Sequence, residues 1–183
     1  MIISYAWTTD ALLAGRKSVT RRNWNPGYAA KFREGTVHDA FDHLPRAHGK
    51  KIGDVQIARV PYPERASDIP DADFEGEGLK YMEEKGLLIR GITPRAWFER
   101  WRASDETLFV VRFRLVFHCD RCGEWTDADK IGPNSYRLRL CPLCAADWQY
   151  YADDHSQELN RSLAAWKGGY EAFCQTKGKG GSL

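Results

Sequence analysis

The stretch LLAGRKSVTRR, residues Leu12 to Arg22, decides how this chain is organised. A short apolar segment ends at Gly15, and glycine readily takes the left-handed conformation with which helices end. The segment that follows carries four basic side chains, Arg16, Lys17, Arg21 and Arg22. Residues 11–33 contain six Arg or Lys and no Asp or Glu, so their charges repel one another unless anions lie against them. We therefore expect an anion-binding loop, with phosphate as the usual anion. The alternative is an ordinary solvated basic loop.

Length and composition indicate a globular protein of one domain with an appendage. The chain has 183 residues, of which 43% are hydrophobic, enough to bury a core. A net charge of +2 is too small to imply a nucleic-acid partner by itself. No apolar run reaches the roughly 18 residues of a membrane span, and no signal-peptide pattern opens the chain. We expect a soluble, cytoplasmic protein without a membrane partner.

Hydrophobic patterning predicts a mixture of strands and helices, hence an α+β fold. Residues 2–7, Val37–Phe41 and Val55–Val60 have strand character, and we expect Pro61 and Pro63 to end the last of these. Residues 71–84 favour helical turns, and Thr93-Pro94 is a typical helix start. Trp97 and Trp101 then share one helical face. The clearest strand is Leu108–Phe117, whose aromatic face we expect in the core.

Four cysteines predict a metal site in the second half of the chain. Cys119-x-x-Cys122 and Cys141-x-x-Cys144 are separated by 18 residues, the pattern of a four-cysteine zinc ribbon. Because four thiolates complete a tetrahedral shell, we expect one structural Zn²⁺ within residues 118–147. Two disulfides, a redox Cys-x-x-Cys and a chance pattern are the alternatives, which the spacing and the absence of a secretion signal make less favoured. Cys174 lies outside the set, and residues 148–183 are expected to form a C-terminal helix and a flexible tail.

The spacing Gly15-x-Lys17-x-x-Thr20-x-Arg22 resembles the signature of ASCH domains in the PUA-like superfamily. The general family pattern has Glu in place of Thr20, whereas a branch that resembles bacterial acetylcytidine amidohydrolases carries Thr there. The resemblance extends through about Phe117 and includes the pair Glu77-Gly78 and the late strand. It implies a small PUA-like mixed β-barrel with flanking helices over residues 1–117, with a cleft beside the basic stretch. This chain is longer than the minimal amidohydrolases, which weakens the transfer of substrate identity.

The first functional hypothesis is a nucleic-acid-binding module. Unpaired RNA or single-stranded nucleic acid is held by basic groups on its phosphates and by aromatic side chains on its bases. The candidate phosphate contacts are Arg16, Arg21, Arg22, Lys50 and Lys51. The candidate stacking residues are Trp24, Tyr28 and Tyr62.

The second hypothesis is a hydrolase that removes acyl groups from a modified cytidine. The amidohydrolase resemblance implies Lys17, Thr20 and Glu77 as catalytic residues. Thr20 would be the nucleophile, Lys17 a base or oxyanion stabiliser, and Glu77 a proton shuttle to the leaving amine. A second Glu-Gly pair at Glu75 leaves open which glutamate has this role. The alternatives are a Lys17–Glu77 ion pair that only closes the barrel, or a ribonuclease, for which the sequence shows no metal site.

Overall fold

A mixed sheet of six strands, flanked by short helices, makes this an α+β structure, as predicted. The computed structural model describes residues 1–130 and 139–146. The chain divides into two compact units, Met1–Phe117 and His118–Leu183. Some predictions fall outside the described residues. They concern the C-terminal helix and tail, Cys174, and residues 131–138 of the expected ribbon.

Five strands carry the first unit. They are β1 (Ile2–Ser4), β2 (Val19–Arg22), β3 (Val37–Phe41), β4 (Lys51–Arg65) and β5 (Thr107–His118). Their order is β1-β3-β4-β5-β2, with β1 parallel to β3 and the other neighbours antiparallel. The second half of LLAGRKSVTRR is therefore a strand, in which Thr20 lies opposite Val111 of β5. Closure of this sheet into a PUA-like barrel stays a prediction.

The expectation that Pro61 and Pro63 end the strand at Val60 is wrong. β4 continues to Arg65, with register shifts on either side of Arg59. The β3 partner extends only to Gln56, so the later part of β4 pairs with β5 alone. Proline is tolerated there because its missing N–H falls on an unpaired edge or at a bulge.

Short helices carry the chain between the strands. They are α1 (Thr9–Leu13), α2 (Pro26–Ala29), α3 (Asp73–Gly76), α4 (Leu79–Glu84) and α5 (Pro94–Arg102). The predicted start of α5 is confirmed, because the Thr93 side chain accepts a hydrogen bond from the Ala96 N–H. The predicted stop at Gly15 is also confirmed, since its φ is +71° and its N–H donates to the Leu12 carbonyl. No helix within the described residues is both long and apolar enough to cross a membrane.

Two hydrophobic clusters form the core of the first unit. One packs against the sheet and contains Ile3, Tyr5, Leu12, Phe32, Ala40, Val55, Ile57, Val111 and Phe113. The other joins the helices and contains Ala66, Ile69, Phe74, Leu79, Met82, Ile89 and Phe98. The predicted core face of β5 is confirmed by Val111 and Phe113. Trp24 and Tyr28 also pack against the first cluster, with Trp24 stacked on Phe32 at 4.5 Å between centroids.

The second unit is described only in part. It contains β6 (Trp125–Asp127), a 3-10 turn over Ala128–Lys130 and a helical turn over residues 142–146. The Cys119 N–H donates to the Glu124 carbonyl, and the Asp120 N–H donates to the Arg139 carbonyl at 2.8 Å. The second of these bonds ties the segment of the first cysteine pair to that of the second.

Candidate active site

Lys17 and Glu77 form a buried ion pair. The two residues are 3% and 6% exposed, and Lys17 Nζ donates to Glu77 Oε2 at 2.9 Å and to the Glu77 carbonyl oxygen at 2.6 Å. Burial lowers the pKa of Lys17; Glu77 opposes this effect, and the neighbouring Arg22 and Arg21 reinforce it. A lysine in this setting loses its proton more readily than one in water.

Close backbone packing brings Glu77 to this position. Gly78 has a φ of +82°, and a Cβ placed there would lie 2.6 Å from the Ala11 Cβ and 3.6 Å from the Lys17 Cβ. Only glycine combines this conformation with so close an approach to α1. The Glu77-Gly78 pair of the sequence motif therefore has a physical cause, since Gly78 lets the start of α4 press against α1 and Lys17.

The structure separates the roles of the two glutamates. Glu75 lies 2.5 Å from the Arg16 Nε in a partly exposed ion pair, whereas Glu77 lies beside Lys17. Gly76 between them packs against β2, where a Cβ would come 2.8 Å from Val19. Glu77 is thus the glutamate that lies within the candidate site.

Arg21 holds the other side of the Glu77 carboxylate. It is 7% exposed, and its NH1 donates to Glu77 Oε1 at 3.0 Å while its NH2 lies 2.5 Å from both Asp73 and Glu64. Burial opposes the charge of Arg21, but Asp73, Glu77 and Glu64 outweigh it and raise its pKa. Asp73 also accepts two hydrogen bonds from Arg112. Lys17 Nζ and Arg21 NH1 thus each donate to one oxygen of the Glu77 carboxylate.

One cavity of the first unit brings the three predicted catalytic residues together. Its volume is about 160 Å³, and Lys17, Thr20 and Glu77 all lie in its wall. Thr20 is 4% exposed, and its hydroxyl has no hydrogen-bond partner among the described residues. Pockets for drug-sized ligands are roughly 300–1,000 Å³, so this cavity suits a single small ring or group.

Tyr5 belongs to the same wall and was missed in the sequence, where it appeared only as part of a strand. The observed strand ends at Ser4, and Ala6 takes a φ of +43°, a strained conformation typical of functional sites. The Tyr5 ring packs edge-on against Phe113, and its phenolic oxygen is buried without a partner among the described residues. Burial raises the pKa of Tyr5, so the phenol stays protonated and can donate to a ligand.

Three tryptophans complete the cavity. Trp7 is 47% exposed and meets Trp97 at 5.1 Å between ring centroids, and Trp97 meets Trp101 at 4.9 Å. The sequence indicated only that Trp97 and Trp101 share one helical face. They do pack against the helical cluster, but they also offer an aromatic wall to a planar ligand.

Most of the predicted phosphate contacts already have partners within the protein. Arg16 pairs with Glu75 and Glu84, Arg21 is buried among carboxylates, and Lys51 pairs with Asp39 and Asp54. Arg22 donates to the Ser4 carbonyl, burial lowers its pKa, and Lys50 is exposed. The anions that neutralise the basic stretch are largely carboxylates of this chain, which the sequence-based expectation of phosphate did not consider.

In the second unit, four cysteines lie close enough to hold a metal ion. The Sγ atoms of Cys119, Cys122, Cys141 and Cys144 all lie within 4.8 Å of one another, and these thiols form no disulfide. Cys122 and Cys141 Sγ are 3.9 Å apart, close to the separation of about 3.8 Å for thiolates around a tetrahedral zinc. Burial opposes the thiolate at Cys119, but backbone N–H groups of Cys122 and Cys141 outweigh it and lower its pKa to about 7. The donor set fits Zn²⁺.

Comparisons with known proteins give little guidance. No protein-family model matches this chain, and no curated protein matches it significantly. A crystal structure of an Enterococcus faecalis protein, described under the family model DUF984, is similar over 60% of this chain and 70% of its own. The identity is 13% and the TM-score is 0.39. The function proposed below rests on the residues of this chain.

Proposed function

We propose that this chain is an ASCH-type amidohydrolase with a PUA-like fold, which removes an acyl group from the exocyclic amine of a cytosine base. The observation that carries this proposal is the convergence of Lys17, Thr20 and Glu77 in one small cavity. A buried lysine with a lowered pKa is a candidate base, and a hydroxyl without a hydrogen-bond partner among the described residues is a candidate nucleophile for acyl transfer. A purely structural ion pair would not need that hydroxyl beside it.

The chemistry follows from these groups. The neutral Lys17 amine accepts the Thr20 proton as Thr20 Oγ forms a bond to the acyl carbon. The carbon–nitrogen bond then breaks, and the Lys17 ammonium returns the proton to the leaving amine. Water then attacks the acyl carbon of the Thr20 ester. Lys17 takes a proton from this water and returns it to Thr20 Oγ as the ester bond breaks. Each proton taken is therefore given back, and no other reactant is needed.

Glu77 acts through Lys17 and not directly on the leaving amine. Both of its oxygens already accept hydrogen bonds, from Lys17 Nζ and from Arg21 NH1. Its negative charge stabilises the Lys17 ammonium as it forms and fixes the direction of the amine. This assignment differs from the proton shuttle that the resemblance implied.

Size and aromaticity support a nucleobase as the ligand. A cavity of about 160 Å³ holds one ring and its acyl substituent, and Trp7 and Trp97 offer flat faces for stacking. The Tyr5 phenol, which has no partner among the described residues, can donate to a carbonyl oxygen of the bound ring. A base with carbonyl and amide groups would satisfy both the apolar and the polar parts of this wall.

The four-cysteine cluster is proposed to hold one structural Zn²⁺ through Cys119, Cys122, Cys141 and Cys144. The four thiolates would complete the metal's shell, leaving no position for a substrate. The zinc would stabilise the second unit and take no part in the acyl transfer.

Nucleic-acid binding is a second proposal, which the ion pairs make less favoured than hydrolysis. Three of the five predicted contacts, Arg16, Arg21 and Lys51, already pair with carboxylates. A phosphate would have to displace those partners. Recognition of RNA or single strands would therefore depend on basic residues outside the LLAGRKSVTRR stretch.

Trapping the acyl-enzyme tests the proposed mechanism. Wild-type protein is mixed with acetylcytidine, quenched in acid within the first turnovers, digested and analysed by mass spectrometry. We expect one added acetyl group on the peptide that carries Thr20, and none with Thr20→Val. If the Thr20 peptide stays unmodified while the protein turns over substrate, the result would favour direct attack of water on the acyl carbon over a Thr20 nucleophile.

A further inference from the structure

A second cavity of the first unit has no role in the proposed reaction. Its volume is about 410 Å³, and its walls include Trp97 and Trp101, which also line the active-site cavity. The two cavities therefore adjoin at these indoles. The larger volume falls in the range of small-molecule sites, about 300–1,000 Å³, and exceeds what one ring fills.

One face of α5 and the turn after it forms part of this cavity. Trp97, Arg100, Trp101 and Ser104 recur at the i, i+3, i+4 and i+7 spacing of a single helical face. The Ser104 N–H donates to the Trp101 carbonyl, which continues the helical path beyond Arg102. The Ser104 hydroxyl is buried without a partner among the described residues. This face thus carries a guanidinium and an unsatisfied hydroxyl among the indoles.

Arg90 reaches the same cavity from a tight turn. Ile89 and Ile92 exchange both backbone hydrogen bonds, at 2.8 and 3.1 Å, with Arg90 and Gly91 between them. Arg90 has a φ of +49° in a position that favours Asn, Asp or Gly. Strained conformations of this kind persist mainly where a side chain has a functional placement.

The charges of this cavity are poorly neutralised by the protein. Arg90 and Arg100 are both exposed, and within residues 1–130 and 139–146 their guanidinium groups make neither an ion pair nor a hydrogen bond. In contrast, Arg95 on the same helix pairs with Asp71. Glu106 is the carboxylate among the cavity's lining residues, so two guanidinium groups face one acid. Unpaired arginines in a concave site bind phosphate with good geometry.

We propose that this cavity binds a phosphate monoester on the ribose of a cytidine nucleotide whose base occupies the active-site cavity. The inference rests on the proposed function and narrows its substrate class to acylated nucleotides in preference to free nucleosides. Arg90 and Arg100 hold the phosphate, and the shared indoles Trp97 and Trp101 lie between phosphate and base. In the smaller cavity Lys17 and Arg21 are already paired with carboxylates of the protein, so we assign the phosphate to the larger one.

Calorimetry with cytidine, its 5′- and 3′-monophosphates and a cytidine trinucleotide tests this inference. We expect either monophosphate to bind at least about 10-fold more tightly than cytidine, because hydrogen bonds to charged groups are strong. The double variant Arg90→Gln and Arg100→Gln should remove that difference and leave cytidine binding unchanged. The matched control is Arg33→Gln with Arg46→Gln, which removes the same charge at exposed positions outside both cavities.

Equal affinities of cytidine and both monophosphates in wild-type protein would overturn the inference. If the double variant lost affinity for the trinucleotide alone, the two arginines would bind a polymer, and the inference would again be wrong. An equal loss of monophosphate affinity in the control variant would also contradict it. Ser104→Ala gives a further check that does not alter charge, and we expect it to weaken monophosphate binding a few-fold without lowering stability. Hydrolysis of acetylcytidine is measured separately, so a protein that binds nucleotides but hydrolyses nothing would refute the proposed function alone.

Discussion

Lys17 and Glu77, sixty positions apart in the sequence, meet in the interior with Nζ 2.9 Å from Oε2 and 2.6 Å from the Glu77 carbonyl oxygen. The lysine comes from the loop after α1 and the glutamate from the connection between α3 and α4. Gly78 allows this contact, since a Cβ there would collide with Ala11. Lys17 therefore forms a structural ion pair, and burial at the same time lowers its pKa.

Removing the Glu77 charge should destabilise the protein strongly. Glu77→Gln leaves Lys17 buried without its carboxylate, and such uncompensated charges cost about 3–5 kcal/mol. Glu75→Gln is the matched control, because its pair with Arg16 is partly exposed and should matter much less. Urea unfolding of both variants makes the comparison. Equal losses would show that the Lys17–Glu77 pair is not the stabilising contact described here.

The pH dependence of hydrolysis should report the lowered pKa of Lys17. A lysine base is active when neutral, so kcat/KM should rise with pH and level off below the ordinary lysine value of about 10.4. Lys17→Arg keeps the charge but cannot act as a base, and should abolish activity. Lys80→Arg, at an exposed position on α4, should keep the wild-type profile. An active Lys17→Arg variant would exclude Lys17 as the base.

The unpaired phenol of Tyr5 should matter to the ligand more than to the fold. Tyr5→Phe removes a buried hydroxyl that has no partner among the described residues, so the free energy of unfolding should stay equal or rise. KM for acetylcytidine should increase because the bound base loses a donor. Tyr28→Phe, which changes a ring outside the cavity, is the control for both measurements. A less stable Tyr5→Phe protein with unchanged KM would assign the phenol to the fold.

Native mass spectrometry should find one zinc ion in each chain. Cys141→Ser removes one of four thiolates and should release the metal and destabilise the second unit. Cys174→Ser, outside the four-cysteine cluster, should retain it. A metal-free wild-type protein with unchanged stability would contradict a structural zinc.

The candidate site's main members were predicted from the resemblance of short motifs to a known family, and not from local geometry. Lys17, Thr20 and the Glu77-Gly78 pair came from that resemblance, whereas the stop at Gly15 followed from its own local sequence and is confirmed by its φ of +71°. The paired cysteines likewise carry their own spacing rule. The stop at Gly15 and each cysteine pair can be predicted because the residues that cause them are close together along the chain.

Features that depend on distant partners were not predictable in this way. The acid-free stretch predicted phosphate, yet Arg21 finds Asp73 and Glu64, which folding brings from more than forty residues away. Tyr5 looked like an ordinary strand residue until its phenol proved to be buried in a cavity wall. Trp97 had a helical packing pattern, and only the tertiary arrangement shows that it also borders two cavities. Charge neutralisation and cavity walls are properties of the packed chain.

The rate of cytidine formation from acetylcytidine, measured for wild-type protein, Thr20→Val and Thr20→Ser, shows whether this chain is a hydrolase that uses Thr20. Thr20→Val should slow the reaction at least about 100-fold, because it removes the nucleophile, while changing stability by less than about 1 kcal/mol, because that hydroxyl makes no hydrogen bond to the described residues. Thr20→Ser should keep measurable activity. Absence of cytidine with the wild-type protein, or an unchanged rate with Thr20→Val, would contradict the account.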